Sequence, residues 1–479
     1  MSQPTETPIL AGPFEPTWES LRQYQCPQWF RDAKFGIWAH WGPQCLPMCG
    51  DWYARRLYQP TDPVYHHHWR VYGHPSRVGY KDIVRLWKAE RFDPEALMDL
   101  YVAAGARYFV AQAVHHDNFD NWDSRHHRWN AANMGPQRNI VGAWERAARQ
   151  RGLRFGLSEH LGATFSWMRF SKGHDAEGPY AGVPYDGNDP AYEDLYLPNQ
   201  DEGDAWYTAN PYWHTRWFAR MKDLVDQHQP DLLYTDGGVP FGEVGLRLIA
   251  HLYNSSAKLH SGAVEAVYTQ KDANPDVYRV GILDIERGQR PGIAEEPWQT
   301  DTCVGGWFYD SRLIYKTPAH VIEMLVDIIS KRGNLLLNLP QRPEGTLDEQ
   351  CLWILKVLAD WFAANAEGVY DAEPWKVAGE GPTAPEAGAF REDRVEWSAE
   401  DFRFTSRGNT VYAFQMAAAP DGQAAITSLG LGSGTKVSGV RLLGSAQPVS
   451  YEQREGALVV QLPDQAPAPH VSCLAVGLA

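Results

Sequence analysis

The sequence of 479 residues has no long apolar run, few cysteines and no excess of positive charge. No stretch approaches about 18 consecutive apolar residues, the length that a membrane-spanning helix requires. The formal net charge of -15 at pH 7 argues against nucleic acid as a partner, because a nucleic-acid interface needs a basic face. The six cysteines are too sparse for a disulfide framework and lack the paired C-x-x-C spacing of zinc sites, so we expect reduced, buried thiols.

The beginning of the chain also lacks the features of a secretion signal. Residues 1–6, Met-Ser-Gln-Pro-Thr-Glu, include no basic segment and lead into no apolar one. The sequence therefore predicts a cytoplasmic protein, or a periplasmic or secreted one from which a signal peptide has been removed. Its hydrophobic content of 44% is ample for large cores and predicts a globular protein with more than one domain. The sequence does not indicate the oligomeric state.

Tryptophan, by contrast, is abundant, with 20 residues. Seven of them lie beside His, Asp, Arg or Gly in predicted loops rather than at helical or strand spacing: Trp38, Trp41, Trp52, Trp69, Trp122, Trp129 and Trp167. We expect several of these side chains to line a binding site, while a large core accounts for the others. A ligand with flat C–H faces, as sugars have, suits such a site.

Short apolar runs alternate with amphipathic segments from Trp29 to about Glu367. The predicted strands are 35–40, 107–114, 153–157, 231–235, 265–268, 279–285 and 334–338, and the predicted helices are 93–104, 140–151, 211–229, 318–331 and 347–364. This alternation predicts a parallel sheet with helices outside, and its length favours closure into a barrel. No G-x-G-x-x-G follows an early strand, which argues against a dinucleotide-binding fold.

The composition changes after Gly368. Residues 371–389 are rich in Pro, Gly, Glu and Ala and are predicted to form a linker. Beyond it the patterns are those of strands, at 402–405, 411–414, 437–443, 449–452 and 458–462, with glycine-bearing turns between them. The predicted fold is therefore α/β, with a catalytic (β/α)8-like barrel over residues 1–370 and a C-terminal all-β sandwich over residues 390–479.

Five polar clusters directly follow predicted strands. They are His40-Trp41-Gly42, His115-His116-Asp117, Ser158-Glu159-His160, Asp236-Gly237-Gly238 and Glu286-Arg287-Gly288. One such cluster alone is weak, since a histidine at a strand end is often structural, but a barrel brings all the strand ends to one face. Five clusters in register therefore predict an active site at that face.

Two kinds of chemistry suit these residues. Two carboxylates can hydrolyse a glycosidic bond, one as nucleophile or base and the other as general acid. Alternatively, His40, His115, His116 and Asp236 can hold zinc or another divalent ion that activates water. The position of His40, outside any H-x-H pair, argues against the metal. The three histidines at 66–68 are not expected to bind metal either, because adjacent side chains of an extended chain point to different sides.

Seven motifs follow one another along about residues 20–375. They are 29–37 (WFRDAKFGI) with His40-Trp41-Gly42, 50–53 (GDWY), 115–119 (HHDNF), 133–136 (NMGP) with Arg138, 151–157 (RGLRFGL), 230–237 (PDLLYTDG) and 330–338 (SKRGNLLLN). In this succession they resemble the α-L-fucosidases of glycoside hydrolase family 29. The resemblance implies a barrel with a C-terminal β-sandwich, retention of the anomeric configuration, and neither a metal nor a cofactor.

The resemblance also implies roles for individual residues. By position, Asp236 matches the nucleophile, and an ionised carboxylate there can attack the anomeric carbon to form a covalent glycosyl-enzyme. Sugar-binding positions of the family correspond to His40, Trp52, His115 and His116, while Asp51 stands where a Glu is common and Tyr234 where a Trp is common. We expect His115 and His116 to donate to sugar hydroxyls and Asp117 to orient one of the imidazoles.

The implied activity is that of a retaining exo-α-L-fucosidase. Its substrate would be a small glycoside or a glycan that carries a terminal α-L-fucose. Because one carboxyl must be ionised while the other is protonated, a neutral to acidic pH optimum is expected.

The acid/base carboxyl is the open position. A Trp-Glu pair that many members of the family share is Trp298-Gln299 here, so that glutamate is absent. We select Glu286, which stands at the end of a predicted strand, and Glu295 and Glu296 on the following loop remain alternatives. The missing glutamate also leaves open a non-catalytic fucose-binding protein on the same barrel, beside the metal-dependent hydrolase.

Overall fold

The computed structural model describes residues 7–198, 203–463 and 470–479. Eight strands form a closed parallel barrel in chain order: β1 (Phe35–Ala39), β2 (Tyr108–Val114), β3 (Arg154–Glu159), β4 (Leu232–Thr235), β5 (Val267–Gln270), β6 (Ile282–Asp284), β7 (Trp298–Cys303) and β8 (Gly333–Asn338). Strand β8 closes the barrel by pairing in parallel with β1, with Leu335 opposite Phe35. The predicted (β/α)8-like barrel is thus confirmed.

Helices surround the barrel and cover its ends. Within the described residues they are α1 (Trp18–Leu21), α2 (Gln28–Ala33), α3 (Tyr53–Arg56), α4 (Pro63–Val71), α5 (Tyr80–Leu86), α6 (Pro94–Ala103), α7 (Ile140–Gln150), α8 (Thr164–Trp167), α9 (Glu193–Tyr196), α10 (Pro211–His228), α11 (Glu243–Leu259), α12 (Pro275–Tyr278), α13 (Pro318–Ser330) and α14 (Glu349–Asn365). Polar side chains cap the long helices, as Asn139 does for α7 and Asp348 for α14.

The sequence pattern does not predict two elements of the barrel, strand β7 and helix α11. Strand β7 is mostly polar in sequence, yet all six of its residues are buried. Gln299 and Asp301 of this strand contact polar side chains of other barrel strands, Asp284 of β6 and Tyr234 of β4, so no apolar run marks it. Helix α11 contains a glycine and an Asn-Ser-Ser run, which weaken a helical pattern.

The helical layer is incomplete beside β6. The connection from β5 to β6 holds only the single-turn helix α12, and the connection from β6 to β7, which is described throughout, contains no helix. The outer side of β6 is therefore left to other parts of the chain, and residues 388–391 pair there with residues 286–289.

The C-terminal part of the chain forms two antiparallel sheets. The five-stranded sheet has the order β13 (Val437–Leu442), β16 (Ser472–Leu478), β11 (Thr410–Gln415), β10 (Phe402–Arg407) and β9 (Glu373–Glu380), and the three-stranded sheet has the order β12 (Gln423–Ile426), β15 (Leu458–Gln461) and β14 (Ser450–Gln453). Apolar side chains from both sheets form one core that includes Phe404, Ile426 and Val460. The predicted C-terminal β-sandwich is confirmed.

The predicted linker at 371–389 is wrong over eight of its nineteen residues. Residues 373–380 are strand β9, which pairs with β10 at the edge of the five-stranded sheet. Its side chains are half-buried or exposed rather than alternating strongly, so neither an apolar run nor a clear period of two marks the strand in sequence.

The three histidines at 66–68 lie in helix α4, so the prediction of an extended chain there is wrong. His68 is buried and bonds the Tyr53 hydroxyl through Nδ1, at 2.7 Å, and the Val78 carbonyl through Nε2, at 2.8 Å. Both ring nitrogens therefore have structural partners. Successive helical residues also point about 100° apart, so the three imidazoles do not converge.

The remaining composition-based expectations concern the cysteines and the membrane. All six cysteines lie in the described ranges and are unpaired, and five of them are buried. Among the described residues, no helix is both long enough and apolar enough to cross a membrane.

Candidate active site

The carboxyl ends of the barrel strands bring the predicted polar clusters together. His40 follows β1, His115 and His116 follow β2, and Asp236 follows β4. The imidazole centroids of His115 and His116 are 4.5 Å apart, and that of His40 is 5.8 Å from His115. His160, which follows β3, adds a fourth ring at 4.6 Å from His115. The strand ends thus form one pocket, as their register in sequence predicts.

Asp236 is surrounded by hydrogen-bond donors. His116 Nε2 and His160 Nδ1 each lie 3.3 Å from its Oδ2, and Lys271 Nζ lies 2.8 Å from its Oδ1. Burial acts to raise the pKa of Asp236, but the charge of Lys271 and the two imidazole contacts outweigh it and hold the pKa well below the ordinary value of an aspartate. Asp236 is therefore ionised at neutral pH, the state that a nucleophile needs.

Lys271, directly after β5, joins the two carboxyls that are predicted to be catalytic. Its Nζ lies 2.8 Å from Asp236 Oδ1 and 2.5 Å from Glu286 Oε2. The two carboxylate oxygens therefore lie no further apart than about 5.3 Å, the sum of those contacts. Retaining glycosidases hold their two carboxyl groups about 5–5.5 Å apart. Asp301 Oδ2 is 3.6 Å from the same ammonium nitrogen.

The pKa values of Glu286 and Asp236 are shifted in opposite directions. Burial raises the pKa of Glu286 to about 7, with the charges of Asp301 and Asp236 adding to the increase and Lys271 opposing it. Burial lowers the pKa of Lys271, but the neighbouring carboxylates, Asp236 foremost, raise it well above its ordinary value, so the ammonium stays charged. At neutral pH the pair therefore offers one ionised carboxylate and one carboxyl that exchanges its proton, the combination that a retaining mechanism requires.

The imidazoles of His40, His115 and His116 are buried and neutral. Burial is the main cause that lowers the pKa of His40, His115 and His116. Gln44 Nε2 lies 2.9 Å from His115 Nδ1 and fixes the orientation of that ring. In the part of the chain that the structure describes, Nδ1 of His40, Nδ1 of His116 and Nε2 of His160 have no hydrogen-bond partner. Hydroxyl groups of a ligand both donate and accept, which suits neutral imidazoles.

Asp117 does not orient an imidazole, so that prediction is wrong. Its carboxylate accepts a short hydrogen bond from the Tyr80 hydroxyl and another from the Phe119 backbone N–H at 3.3 Å. Asp117 therefore fixes the chain that follows β2. Gln44, rather than Asp117, orients the imidazole of His115.

Asp51 and Trp52 lie at the mouth of the pocket. Asp51 Oδ1 accepts the Trp52 backbone N–H at 2.7 Å and lies 3.8 Å from His115 Nε2. Burial raises the pKa of Asp51 to about 8, with the charges of Asp236 and Glu286 adding to the increase. A protonated Asp51 can donate to a sugar hydroxyl. Trp52 has a positive φ of 61° and leaves 43% of its surface exposed.

The tryptophans divide between wall and core. Trp167 packs on Trp52 and on His116, with ring centroids 5.0 and 4.5 Å apart, and Trp206 packs on Trp167 at 5.6 Å. Trp307 adds a further ring, 4.9 Å from His40. By contrast Trp41, Trp122 and Trp129 are fully buried core residues. Of the seven tryptophans selected in the sequence, Trp52 and Trp167 belong to the wall.

Tyr234 lies at the floor of the pocket and is completely buried. Its hydroxyl donates to Asp301 Oδ2 at 2.9 Å and lies 3.5 Å from Asp236 Oδ1. The Trp38 ring packs on it, with centroids 4.7 Å apart. Tyr234 therefore supports the nucleophile from below, and contact with a sugar remains a prediction.

The other carboxyls that the sequence left open lie away from Asp236. Glu295 and Glu296 precede β7, at the opposite end of the barrel from the strand ends, and both are exposed, with Glu296 Oε1 3.4 Å from Arg279 Nε. Gln299, at the position of the family's glutamate, is buried inside the barrel between Tyr108 and Asp284. These positions favour Glu286 as the acid/base.

The same pocket contains two groups of atoms that could hold a metal ion. One comprises His40, His115 and His160, and the other His116, His160 and Asp236, with the ligand atoms of each group within 4.8 Å of one another. Neutral imidazoles and a carboxylate suit zinc. The Lys271 ammonium 2.8 Å from Asp236 opposes a divalent ion at the second group by charge repulsion.

Sequence analysis missed Lys271 and gave no role to His160, Trp206 and Trp307. A signal for Lys271 was present, because Gln270-Lys271-Asp272 is a sixth polar cluster at a strand end. Strand β5 ends two residues later than predicted, which hid this cluster. Trp206 comes from the long connection between β3 and α10, and Trp307 from the connection after β7. Nothing in the local sequence of those connections indicates that they fold back over the pocket.

Comparison with known proteins gives one consistent result. The family model described as Alpha-L-fucosidase matches residues 2–367. Among curated proteins, the chain is 28% identical over 464 residues to the tissue alpha-L-fucosidase of Rattus norvegicus, covering 94% of this chain and 89% of that one. It is also 28% identical over 473 residues to the plasma alpha-L-fucosidase of Homo sapiens, covering 94% of this chain and 88% of that one.

Solved structures give a matching fold. The chain superposes on the alpha-fucosidase of Thermotoga maritima, solved in complex with fucose, with a TM-score of 0.75 and 23% identity over 97% of this chain and 100% of that one. It superposes on alpha-L-fucosidase isoenzyme 1 of Paenibacillus thiaminolyticus with a TM-score of 0.69 and 21% identity, over 96% of this chain and all of that one. At these identities the likeness concerns the fold, including the C-terminal sheets.

Proposed function

The chain belongs to the α-L-fucosidase family, and from this premise we propose that it is a retaining exo-α-L-fucosidase with Asp236 as nucleophile and Glu286 as acid/base. The substrate is a glycoside or glycan with a terminal α-L-fucose. The reaction needs two carboxyls in different protonation states within reach of one anomeric carbon, and Asp236 and Glu286 have these properties.

In the first step, Asp236 Oδ attacks the anomeric carbon and the bond to the leaving-group oxygen breaks. Glu286 gives its proton to that oxygen, so the aglycone leaves as a neutral alcohol and Glu286 becomes ionised. The covalent fucosyl-enzyme on Asp236 has the inverted configuration. The Lys271 ammonium contacts both carboxyls and stabilises the negative charge as it moves from Asp236 to Glu286.

In the second step, Glu286 takes a proton from water and the resulting nucleophile attacks the same anomeric carbon. The bond to Asp236 breaks, fucose leaves with its original configuration, and both carboxyls return to their starting states. Two inversions give net retention.

The proposed fucose contacts come from the surrounding strand ends. His40, His115 and His116 present neutral imidazoles to the hydroxyl groups, and Asp51 and Trp52 close the mouth. Tyr234 supports the floor through its contact with Asp301. A pocket closed at its floor by Tyr234 and Trp38 accommodates the end of a chain rather than its middle, which supports exo action.

One observation carries the assignment of the two carboxyls. Both touch the same Lys271 nitrogen, which limits their separation to about 5.3 Å. An inverting enzyme needs about 6.5–9.5 Å, to leave room for water. The short separation favours retention and supports Glu286 over Glu295 and Glu296.

Replacement of the nucleophile tests this proposal. Asp236→Ala is expected to lower turnover of 4-nitrophenyl α-L-fucoside by at least about 10⁴-fold, because the covalent step is lost. Azide should restore part of the activity and give β-L-fucosyl azide. Asp360→Ala is the matched control, because Asp360 is 55% exposed on helix α14 and, among the residues that the structure describes, pairs only with Lys356. Full turnover by Asp236→Ala would falsify the mechanism.

A metal-dependent hydrolase is the second candidate, on the strength of the imidazole and carboxylate cluster. This alternative predicts that exhaustive chelation abolishes hydrolysis and that zinc restores it. The glycosidase mechanism predicts the same rate before and after chelation. Wild-type protein assayed with and without chelator separates the two.

A non-catalytic fucose-binding protein is the remaining alternative. It has in its favour that Gln299 stands where the family's glutamate is common. It predicts calorimetric binding of fucose without hydrolysis of even an activated aryl fucoside. Release of nitrophenol by the wild-type protein excludes it.

A further inference from the structure

A cavity of about 540 Å³ opens beside the predicted acid/base residue. Glu286 and Lys271, whose side chains touch each other, both line it. The rest of its lining includes Pro275, Tyr278 and Phe390. The cavity is large enough for a six-membered ring and lies where the helical layer has its gap beside β6.

Phe390 lines this cavity with an exposed side chain and a left-handed backbone conformation, neither of which stabilises the fold. Its side chain leaves 62% of its surface exposed and its backbone has a φ of 57°. A large apolar side chain gains little by being exposed to water, and a residue with a Cβ pays about 1–2 kcal/mol for the left-handed conformation. Such outliers cluster at ligand-binding sites, where surrounding structure holds them in place.

The backbone around Phe390 is fixed to the chain that carries Glu286. The Phe390 N–H donates to the Glu286 carbonyl and the Arg391 N–H to the Arg287 carbonyl, both at 2.9 Å. Gly388 and Gln289 exchange two further backbone hydrogen bonds. Phe390 thus keeps a constant position relative to the acid/base, although it comes from the C-terminal part of the chain.

A buried ion cluster fixes the same segment from the other side. Glu392 accepts from Arg287 Nε at 2.6 Å and from Lys316 Nζ at 2.8 Å, and also bonds the Thr302 hydroxyl. Its carboxylate is only 8% exposed. Buried ion pairs of this kind impose a defined geometry more reliably than they add stability, which suits a segment that positions a side chain.

We propose that this cavity is the acceptor site of the enzyme, and that it binds the ring of the leaving group with its apolar face against Phe390. The proposal rests on the proposed function, because Glu286 as general acid must touch the leaving-group oxygen. The first ring attached to that oxygen then lies beside Glu286, where the cavity offers Tyr278, Pro275 and Phe390. Aryl rings and the C–H faces of pyranoses both pack on aromatic side chains.

The test compares leaving groups of different size. In Phe390→Ala, kcat/KM should fall about five- to tenfold for 4-nitrophenyl α-L-fucoside and for a disaccharide with a terminal α-L-fucose. It should be unchanged for α-L-fucosyl fluoride, whose leaving group is a single atom and cannot reach Phe390. A loss with the aryl fucoside alone would contradict binding of a pyranose ring.

The control variant is Tyr451→Ala. Tyr451 is a 40% exposed aromatic residue of strand β14 in the three-stranded sheet, and its replacement should leave all three rates unchanged. An equal loss with the fluoride, or no loss with any substrate, would overturn the acceptor site while leaving Asp236 and Glu286 in their roles. Wild-type protein that hydrolyses none of the three substrates would instead contradict the proposed function itself.

Discussion

The positive charge of Lys271 affects the protonation of both predicted catalytic carboxyls. Lys271 is the cation that contacts Asp236 and Glu286 together, and Asp301 lies 3.6 Å away. Without it, a buried carboxylate at Asp236 would face the charge of Asp301 and the ionised state of Glu286 without the ammonium that contacts all three carboxyl groups. The opposite pKa shifts of the two predicted catalytic carboxyls therefore depend on one ammonium group.

Removal of this ammonium is expected to impair catalysis more than binding. In Lys271→Met, kcat should fall on the order of 10²-fold, the usual effect of losing one preorganised group that stabilises charge in the transition state. Lys271 lowers the pKa of both carboxyls, so its loss should move both limbs of the pH profile to higher pH. Steady-state kinetics from pH 3 to 9 measure both effects.

Lys271→Arg is the control for that variant. It keeps the charge and should recover part of kcat and the position of both pH limbs. If Lys271→Met changed KM alone and left the pH limbs in place, the ammonium would be a substrate contact rather than a group that sets the protonation of Asp236 and Glu286.

The pH dependence of the wild-type protein follows from the two carboxyls. The pKa of Glu286 is raised to about 7, so its protonated fraction, and with it kcat/KM, should fall about tenfold per pH unit above pH 7. The pKa of Asp236 is held well below its ordinary value, so the acid limb should appear only at a pH lower than that at which an ordinary aspartate titrates. A substrate with a sugar leaving group reports both limbs.

The variant Glu286→Ala tests the assignment of the basic limb. With 2,4-dinitrophenyl α-L-fucoside, whose leaving group needs no proton, this variant should retain substantial formation of the covalent intermediate and show no basic limb near pH 7. A basic limb that persists would point instead to Asp51, whose pKa is raised to about 8.

Sequence pattern located the individual site residues by their strand ends but not their partners. His40, His115, His116, Asp236 and Glu286 each follow an apolar run, and the barrel collects them. Contacts such as Gln44 with His115 or Lys271 with Glu286 join residues from different connections. They depend on how side chains pack across the barrel mouth, which no local pattern encodes.

At the scale of secondary-structure elements, the close pairing of residues 286–289 with 388–391 depends on Gly288. A Cβ at this position would lie 1.9 Å from the Gly388 carbonyl oxygen, far inside contact distance. Gly288→Ala should therefore separate the two segments. We expect faster hydrogen–deuterium exchange in residues 386–392 and a loss of activity on 4-nitrophenyl α-L-fucoside of about tenfold.

Gly292→Ala is the matched control in the same connection. No described atom lies within 4 Å of a Cβ built at Gly292, so exchange and activity should stay at wild-type values. If Gly288→Ala also behaved like the wild type, the pairing would not be what positions Phe390 beside Glu286.

Elements were predictable where burial leaves an apolar run. Barrel strands such as β2 and β8, buried on both faces, are mostly apolar. Strand β7 is buried too, but it contains polar side chains that are hydrogen-bonded inside the barrel, Gln299 to Asp284 and Asp301 to Tyr234. Its sequence therefore resembles that of a loop. Strand β9 is an edge strand with all eight of its residues exposed or half-buried, and its composition resembles that of a linker.

At the scale of the whole molecule, the barrel and the C-terminal sheets share a buried ion pair. Asp327 of helix α13 bonds Lys331 Nζ at 2.6 Å and Arg403 Nε of strand β10 at 2.5 Å, and these side chains are at most 7% exposed. The Arg403 guanidinium also lies over the Trp397 ring, 4.7 Å from its centroid. The two domains are therefore joined by interactions that water does not screen.

Breaking this pair should destabilise the whole chain. Arg403→Met leaves Asp327 buried with one partner fewer, so the free energy of unfolding should fall by about 3 kcal/mol. Arg454→Met is the control, because Arg454 and its partner Glu452 are 60% and 67% exposed, and its effect should stay within about 0.5 kcal/mol. Urea unfolding followed by tryptophan fluorescence, to which residues 1–370 contribute 18 of the 20 tryptophans, and by activity measures both variants. Since Arg403 lies in the C-terminal sheet, a shift of the barrel's own transition requires that the domains stabilise each other. An unchanged fluorescence midpoint in Arg403→Met would instead mean that the barrel folds independently of the C-terminal sheets.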